Sequence, residues 1–242
     1  MASIEQIEKK NLPKHIAITM DGNGRWAQKK GKFRVFGHQN GIRAVRETVE
    51  TAAKIGIQNI TLYAFSTENW KRSKKEVNAL MTLLVSTINK ETKTLIKNNI
   101  SLQAIGDIEK LPNKCKRELN EAIEKTKENS KMRLILALSY SGRWEIINAV
   151  NNILKMNKEK EVNKITEETF QQYLNTKNVP DPELLIRTSG EKRISNFLLW
   201  QIAYSELYFT KTLWPDFRKE DLIDAIIDFQ KRERRFGTST EN

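Results

Sequence analysis

One cysteine, two histidines and five prolines in 242 residues leave several chemistries without material. The lone thiol, Cys115 in the polar context PNKCKRE, excludes a disulfide framework, and two histidines far apart in sequence leave no cluster of metal-ligand spacing. That usage suits a reducing cytoplasm, and the charged neighbours predict a surface thiol. Long hydrophobic runs are missing too. None approaches the eighteen or so residues of a membrane-spanning helix, and the opening MASIEQIEKKNLPK has no apolar signal core, so the chain reads as soluble and cytoplasmic. No repeat and no long linker divides it. An α/β chain of this length forms a single domain, 1–242, with 1–12 and 238–242 expected as flexible tails. Acidic residues are in deficit: 42 Lys and Arg less 30 Asp and Glu give +12. Such a balance attracts anionic substrates, nucleic acid or an acidic membrane surface, without choosing among them.

What is present is an alternation of short β-type runs with longer segments of helical period, the pattern of a parallel sheet covered by helices. Strands are predicted at 15–20 (HIAITM), 59–65 (NITLYAF), 100–106 (ISLQAIG), 132–139 (MRLILALS), 183–189 (ELLIRTS) and 206–210 (ELYFT). Helices are predicted near 38–55, 74–98, 113–129, 142–156, 166–176 and 219–235, with the lysine-rich 155–164 a solvated connection. The expected fold is therefore α/β, a central mostly parallel sheet of about six strands flanked by helices. Within 74–98, Val77, Leu80, Met81, Leu84 and Ile88 recur at the spacing of one apolar face. At 1.5 Å per residue that helix would run about 35 Å, a core helix or one wall of an elongated apolar channel.

Four polar clusters each follow the carboxyl end of a predicted strand: DGNGRW, STENWKR, SYSGRW and RTSGEKRIS. Ligands of open α/β sheets bind at that edge, so the four are expected to converge on one crevice. Arg25, Arg34, Arg72, Arg143, Arg187 and Arg193 are candidates to line it, and the planar arginine fork matches phosphate oxygens in pairs. Gly22, Gly24 and Ala27 fit a dinucleotide fingerprint, but that signal is weak alone. It also requires a helix to open at once, whereas helical period starts here only after Gly37. Asp21 would moreover repel a pyrophosphate unless a cation lay between them. A carboxylate, a diphosphate and Mg²⁺ make a hard oxygen site that magnesium prefers. His15, opening a strand, reads as structural; His38 stands at a helix start, where it can face an anion. Ser66 and Thr67 serve equally well as caps for the following helix and Trp70 as packing, whereas Asn69 and Arg72 have no such need.

The segments HIAITMDGNGRWA, GH, TLYAFSTENWKR, LLIRTSGEKRISNFLLWQIAYSELYFT and LWPDF resemble the signature segments of the cis-prenyltransferases, most closely those of bacterial undecaprenyl diphosphate synthases. The similarity runs from about Pro13 to Gly237. It implies an enzyme that extends an allylic diphosphate such as farnesyl diphosphate with isopentenyl diphosphate units, each new double bond cis. The product so implied is undecaprenyl diphosphate, a lipid-carrier precursor for the cell wall. Carried over by position, the resemblance implies that Asp21 is the essential carboxylate beside the allylic diphosphate and Mg²⁺. It places Gly22, Asn23, Gly24, Arg25, Trp26, Arg34 and His38 on that side. Ser66, Thr67, Glu68, Asn69, Trp70 and Arg72 match a mobile segment that orients the substrates, with Asn69 on the proton path. Arg187, Arg193, Ile194 and Ser195 match the isopentenyl diphosphate pocket, and Glu206 a second metal carboxylate. A dry tunnel for the growing chain is implied, with walls expected on the 74–98 helix and around Met132, Leu134 and Leu136. A homodimer through NFLLWQIAYSELYF, peripheral contact with the inner membrane surface and no nucleic-acid partner are also implied. Ser73 stands where the family usually has proline, and Ser141 where it has the first of two glycines. The competing classes are a basic nucleic-acid-binding module, which needs no carboxylates beside its arginines, and a non-catalytic prenyltransferase partner subunit, which lacks the intact aspartate-glycine loop found here.

Overall fold

The computed structural model describes residues 3–157 and 164–235. Six strands, β1 (His15–Thr19), β2 (Asn59–Ser66), β3 (Ile100–Ile105), β4 (Met132–Tyr140), β5 (Leu184–Arg187) and β6 (Glu206–Phe209), form one sheet in the order β3-β4-β2-β1-β5-β6. Every neighbouring pair is parallel. The helices are α1 (Asn23–Lys29), α2 (Arg34–Ile55), α3 (Lys74–Lys97), α4 (Asn113–Thr126), α5 (Gly142–Asn157), α6 (Glu167–Gln171) and α7 (Lys219–Gln230).

Strand side chains alternate between faces, and the buried clusters follow that period. Ile16, Ile18, Ile60, Leu62, Leu134 and Leu138 pack with Val49 of α2, Met81 of α3, Leu119 of α4 and Ile226 of α7. Ala17, Ile135, Ala137 and Leu185 face the other way, onto Phe197 and Leu198. The segment NFLLWQIAYSELYF is thus partly core: Phe197 and Leu198 are fully buried, whereas Tyr204 and Leu207 are exposed.

Several boundaries differ from the sequence expectation. A helix does open directly after the glycine loop, at Asn23, and α2 begins at Arg34 rather than after Gly37. Seven residues containing a glycine carry too little apolar period to be seen, and Gly37 reads as a break although it lies inside α2. A Cβ at Gly37 would stand 1.9 Å from the Asn23 carbonyl oxygen, so glycine there permits α1 and α2 to touch. The missing helix was one ground for setting the dinucleotide fingerprint aside, and that ground does not hold; the repulsion between Asp21 and a bare pyrophosphate does. The predicted 166–176 helix shortens to α6, α4 ends at Thr126 and α7 at Gln230. Most of the 155–164 connection lies outside the described residues, as does 238–242.

Residues 4–11 are not a loose tail. They form two short 3₁₀ turns, bury Ile7 and exchange hydrogen bonds with Gln230 through Glu8 and Asn11. Cys115 is also corrected: only 2 % exposed, it sits on the inner face of α4, its thiol directed at the Met81 carbonyl. The charged residues around it occupy the outer face of the same helix, which a linear reading cannot separate from the inner one. Ser73 is the N-cap of α3, its hydroxyl accepting the Glu76 N–H at 3.3 Å, so serine supplies a cap where proline would supply rigidity. Ser141 is absent from the positive-φ residues, so that position does not require glycine. His15 is structural as expected, 1 % exposed and bonded to the Pro180 carbonyl at 2.6 Å and Thr61 Oγ1 at 2.7 Å.

Candidate active site

Asp21 lies just past the end of β1, and its backbone is fixed from two sides. The Asp21 N–H donates to Thr188 Oγ1 at 2.9 Å, the Thr188 hydroxyl reaches the Asp21 carbonyl at 2.6 Å, and the Trp214 N–H donates to the same carbonyl at 3.0 Å. Gly22 then turns the chain at φ +107°, where a Cβ would press on Leu213 at 2.9 Å. Only glycine fits a left-handed position with no room. The turn aims the Asp21 carboxylate at two arginines: Arg187 Nη2 donates at 2.9 Å and Arg25 Nη2 stands at 3.4 Å, while the Gly22 N–H donates to the other oxygen at 2.7 Å. Burial by itself would raise this carboxyl, but the Arg187 and Gly22 hydrogen bonds and the two guanidinium charges outweigh it and hold its pKa below the ordinary value. Asp21 is therefore ionised at neutral pH.

Arg187 is the hinge of the site. It is 3 % exposed at the end of β5 and, besides Asp21, donates to Ser195 Oγ at 2.6 Å and to the Arg193 carbonyl. Its Nε is buried without a partner. Arg25 and Arg193 both pair with Glu191, at 2.9 and 2.5 Å, and Arg25 also bonds Ser189. Ser189, Ser195, Asn196 and Leu198 all hold positive φ, a run of strained backbone that places these groups beside Asp21.

The second segment closes from the end of β2. Asn69 accepts the Ser66 N–H at 3.2 Å, capping the 3₁₀ turn Thr67–Lys71. Glu68 accepts from Asn196 Nδ2 at 2.9 Å, and Asn196 in turn accepts the Arg143 N–H at 2.9 Å and the Gly142 N–H at 2.7 Å. Ser66 and Thr67 help to hold the Glu68 carboxylate. Trp70 packs edge-on to Phe65 and donates to Ser139 at 2.9 Å, which makes it an anchor of the turn rather than a wall of the cavity described below. Arg72 and Arg34 share Glu76, at 3.1 and 3.5 Å. His38, half-buried next to them, is depressed to about 4 by burial and by the charges of Arg72 and Arg34, and is neutral at physiological pH. Trp26 stacks on Phe36 and donates to Asp216 at 2.7 Å.

The four clusters thus converge on one sheet edge, tied by Asp21–Arg187, Glu68–Asn196, Asn196–Arg143 and Trp70–Ser139. Sequence reasoning passed over Thr188, Asn196, Glu76 and Trp214 as site-forming residues. All lie within or next to the quoted segments, and Asn196 at φ +61° is of the type that tolerates this conformation.

Glu206 is not brought to Asp21. It opens β6 in register with Leu184, whereas Arg187 is in register with Phe209, so three strand residues, about 10 Å at 3.3 Å each, separate the two levels. Its carboxylate accepts from Arg232 at 2.8 Å instead. Within one chain Glu206 does not share an ion with Asp21.

Beside Asn69, His38, Arg72 and Met20 opens an apolar cavity of about 250 Å³ between the sheet and helices α2 and α3. It descends along Leu138, Leu136 and Leu134 of β4, past Leu80, Leu84 and Ile88 of α3, to Leu102 and Ile100 of β3. The α3 face is a wall, as its spacing allowed. Met132 is not: it is enclosed in the core beyond Leu134.

An ionised carboxylate among arginines, next in the chain to Met20 on the wall of an apolar cavity, is an arrangement suited to an enzyme that takes an amphiphile with a phosphoryl head and a hydrocarbon tail. The family model described as putative undecaprenyl diphosphate synthase matches residues 19–237, and the chain belongs to this prenyltransferase family. It is 53% identical over 232 residues to the isoprenyl transferase of Chlorobaculum tepidum, covering 95% of this chain and 88% of that one. It is 50% identical over 238 residues to the ditrans,polycis-undecaprenyl-diphosphate synthase ((2E,6E)-farnesyl-diphosphate specific) of Pasteurella multocida, covering 98% and 99%. The crystal structure of lavandulyl diphosphate synthase from Lavandula x intermedia, in complex with dimethylallyl diphosphate, matches with a TM-score of 0.91 at 37% identity, over 95% of this chain and 100% of that one.

Proposed function

We propose that the protein condenses isopentenyl diphosphate units onto an allylic diphosphate, farnesyl diphosphate being the starter, to give undecaprenyl diphosphate. One observation carries this reading: Asp21, held by Arg187 and Arg25, lies in the loop between Met20 and Asn23, both of which line the apolar cavity that runs along β4. In each cycle the allylic C1–O bond breaks, the alkene of isopentenyl diphosphate forms a bond to C1, and a proton leaves the carbon next to the new cation. Diphosphate departs. Arg25, Arg34 and neutral His38, with the Gly22–Asn23–Gly24 turn and Trp26, hold the allylic head. Preorganised donors there stabilise the charge that builds on the leaving group. Arg193, Ile194 and Ser195 hold isopentenyl diphosphate, while Arg187, donating to Asp21, the Arg193 carbonyl and the Ser195 hydroxyl, fixes one substrate pocket against the other. Asn69, whose Oδ1 caps its own turn, orients the proton path toward a phosphate oxygen or water; Ser66, Thr67, Glu68 and Arg72 set that turn against Asn196.

Magnesium, when bound, adds positive charge at the departing diphosphate. Asp21 fits as its protein ligand, being an ionised hard oxygen donor that is 33% exposed. Among the described residues no three His, Cys, Asp or Glu gather at one point, so substrate and water oxygens would complete the shell. The cavity takes the growing chain as a tunnel, each shielded methylene contributing about 0.8 kcal/mol. The enzyme works in the cytoplasm as a homodimer and meets the membrane when it releases product. Ile147, Val150 and Leu154, an exposed stripe on α5, together with Leu207 of the edge strand β6, are the surface for the second copy, which light scattering checks. Incubation with farnesyl diphosphate, labelled isopentenyl diphosphate and Mg²⁺, followed by sizing of the lipid products, tests the activity. Absence of any extended product would refute it.

A further inference from the structure

Phe33 is 91% exposed, the most exposed large apolar side chain among the described residues. A single such residue is ordinary; its setting is not. Phe33 stands at the turn between α1 and α2, in the run Lys29-Lys30-Gly31-Lys32-Phe33, all exposed. The contact of Glu76 with both Arg34 and Arg72 brings this turn beside a second run, Lys71, Lys74 and Lys75, also exposed. None of the six lysines forms an ion pair among the described residues, although acidic partners serve most neighbouring arginines; Lys30 lies over the Trp26 ring at 4.6 Å. Two segments forty residues apart thus set unpaired cations around one projecting phenyl ring. They do so next to His38, Asn69 and Arg72, where the apolar cavity opens.

We propose that this rim is the membrane-docking surface of the protein, Phe33 entering the boundary between headgroups and acyl chains while the lysines meet the phosphates of anionic lipids. Interfacial anchors combine these two features, an apolar side chain to insert and basic residues around it. The proposal rests on the prenyl-transfer reading for its purpose: a cavity holding hydrocarbon would open toward the bilayer. The surface itself is defined by charge and exposure alone.

The test is co-sedimentation of the full chain with vesicles of phosphatidylcholine containing 30% phosphatidylglycerol, against pure phosphatidylcholine vesicles. The expected result is binding to the anionic vesicles only, weakened by salt. A lysine near such a surface contributes about fivefold in partitioning, so K29Q/K32Q should bind at least tenfold less well. F33S should bind several-fold less well and retain the native salt dependence and thermal stability. Equal binding to both vesicle types, native binding by F33S, or displacement by single-stranded RNA with indifference to Phe33 would overturn the proposal. Prenyl transfer by F33S in detergent solution, at saturating substrate, should equal that of the native chain. If the native chain makes no prenyl product, the reading of the site fails while the vesicle result stands by itself.

Discussion

Leu134 and Leu102 are paired across β4 and β3 and both line the deep part of the cavity. Replacing both by alanine removes six carbons from the wall, against five in one isoprene unit. The added space accommodates one further unit, whose burial would contribute about 4 kcal/mol at 0.8 kcal/mol per carbon. Each substitution also destabilises the fold, by about 2–3 kcal/mol, the low part of the usual Leu→Ala range because each side chain already borders empty space. Met132→Ala is the control. It lies on the same strand face as Leu134 but inside the core, 2 % exposed and off the cavity wall, so it should destabilise at least as much without altering the products. The assay is chromatography with mass detection of the polyprenyl products at matched conversion, with thermal unfolding in parallel. The expected outcome is a shift of the L102A/L134A distribution upward by one five-carbon step and an unshifted M132A distribution. An unmoved double variant, or an M132A shift of equal size, would show that this cavity does not hold the chain.

Asp21→Asn leaves buried Arg187 without its counter-charge; because Asp21 is a third exposed, the cost should fall below that of a buried pair, at about 2–3 kcal/mol in chemical denaturation. Prenyl transfer should drop by at least about a hundredfold, since the ionised oxygen proposed to hold Mg²⁺ beside the departing diphosphate is lost. His15 is held at about 4 by burial, against 6.5 when free, so below pH 6.5 the unfolded chain takes the proton first and stability falls as pH drops toward 4. The contribution lost at pH 5 is about 2 kcal/mol, and urea titrations at pH 7 and 5 should show that difference shrinking in a His15→Gln variant. Native Cys115 should react with a thiol reagent only as fast as the fold opens; prompt labelling would contradict its placement under α3. Asn69→Ala should lower turnover with little change in substrate affinity, and unchanged turnover would remove Asn69 from the proton path.

The sheet was legible because its strands are short apolar runs between polar turns, β1 and β5 being buried on both faces, a pattern that depends on nothing distant. The convergence of the site was legible for a related reason: once strands are parallel, whatever follows their carboxyl ends must meet. The short helix α1 was not legible. It has seven residues, and Gly37, whose missing side chain lets α2 pack against it, read as a break. Cys115 was misplaced because the sides of a helix are interleaved in sequence. Glu206 was misplaced for a different cause: its motif position indicated a role, but register puts it at the opposite end of its strand from Arg187.

Arg187 joins Asp21 to the 193–195 loop and so touches both proposed head-group sites. A guanidinium 3 % exposed, with one amino group on Asp21 and the other on Ser195 and the Arg193 carbonyl, is gripped from two sides while its buried Nε has no partner. In the proposed reaction Arg187 would act by position, fixing the carboxylate proposed for one head group relative to the loop proposed for the other. Arg187→Lys keeps the charge and loses the fork. The expected signature is a large fall in kcat with a modest rise in KM for isopentenyl diphosphate, whereas Arg193→Lys, on an exposed arginine that pairs with Glu191, should raise KM and leave kcat near native. Steady-state kinetics with isopentenyl diphosphate varied separates the two, and the same change in KM for both variants would show that Arg187 binds substrate directly.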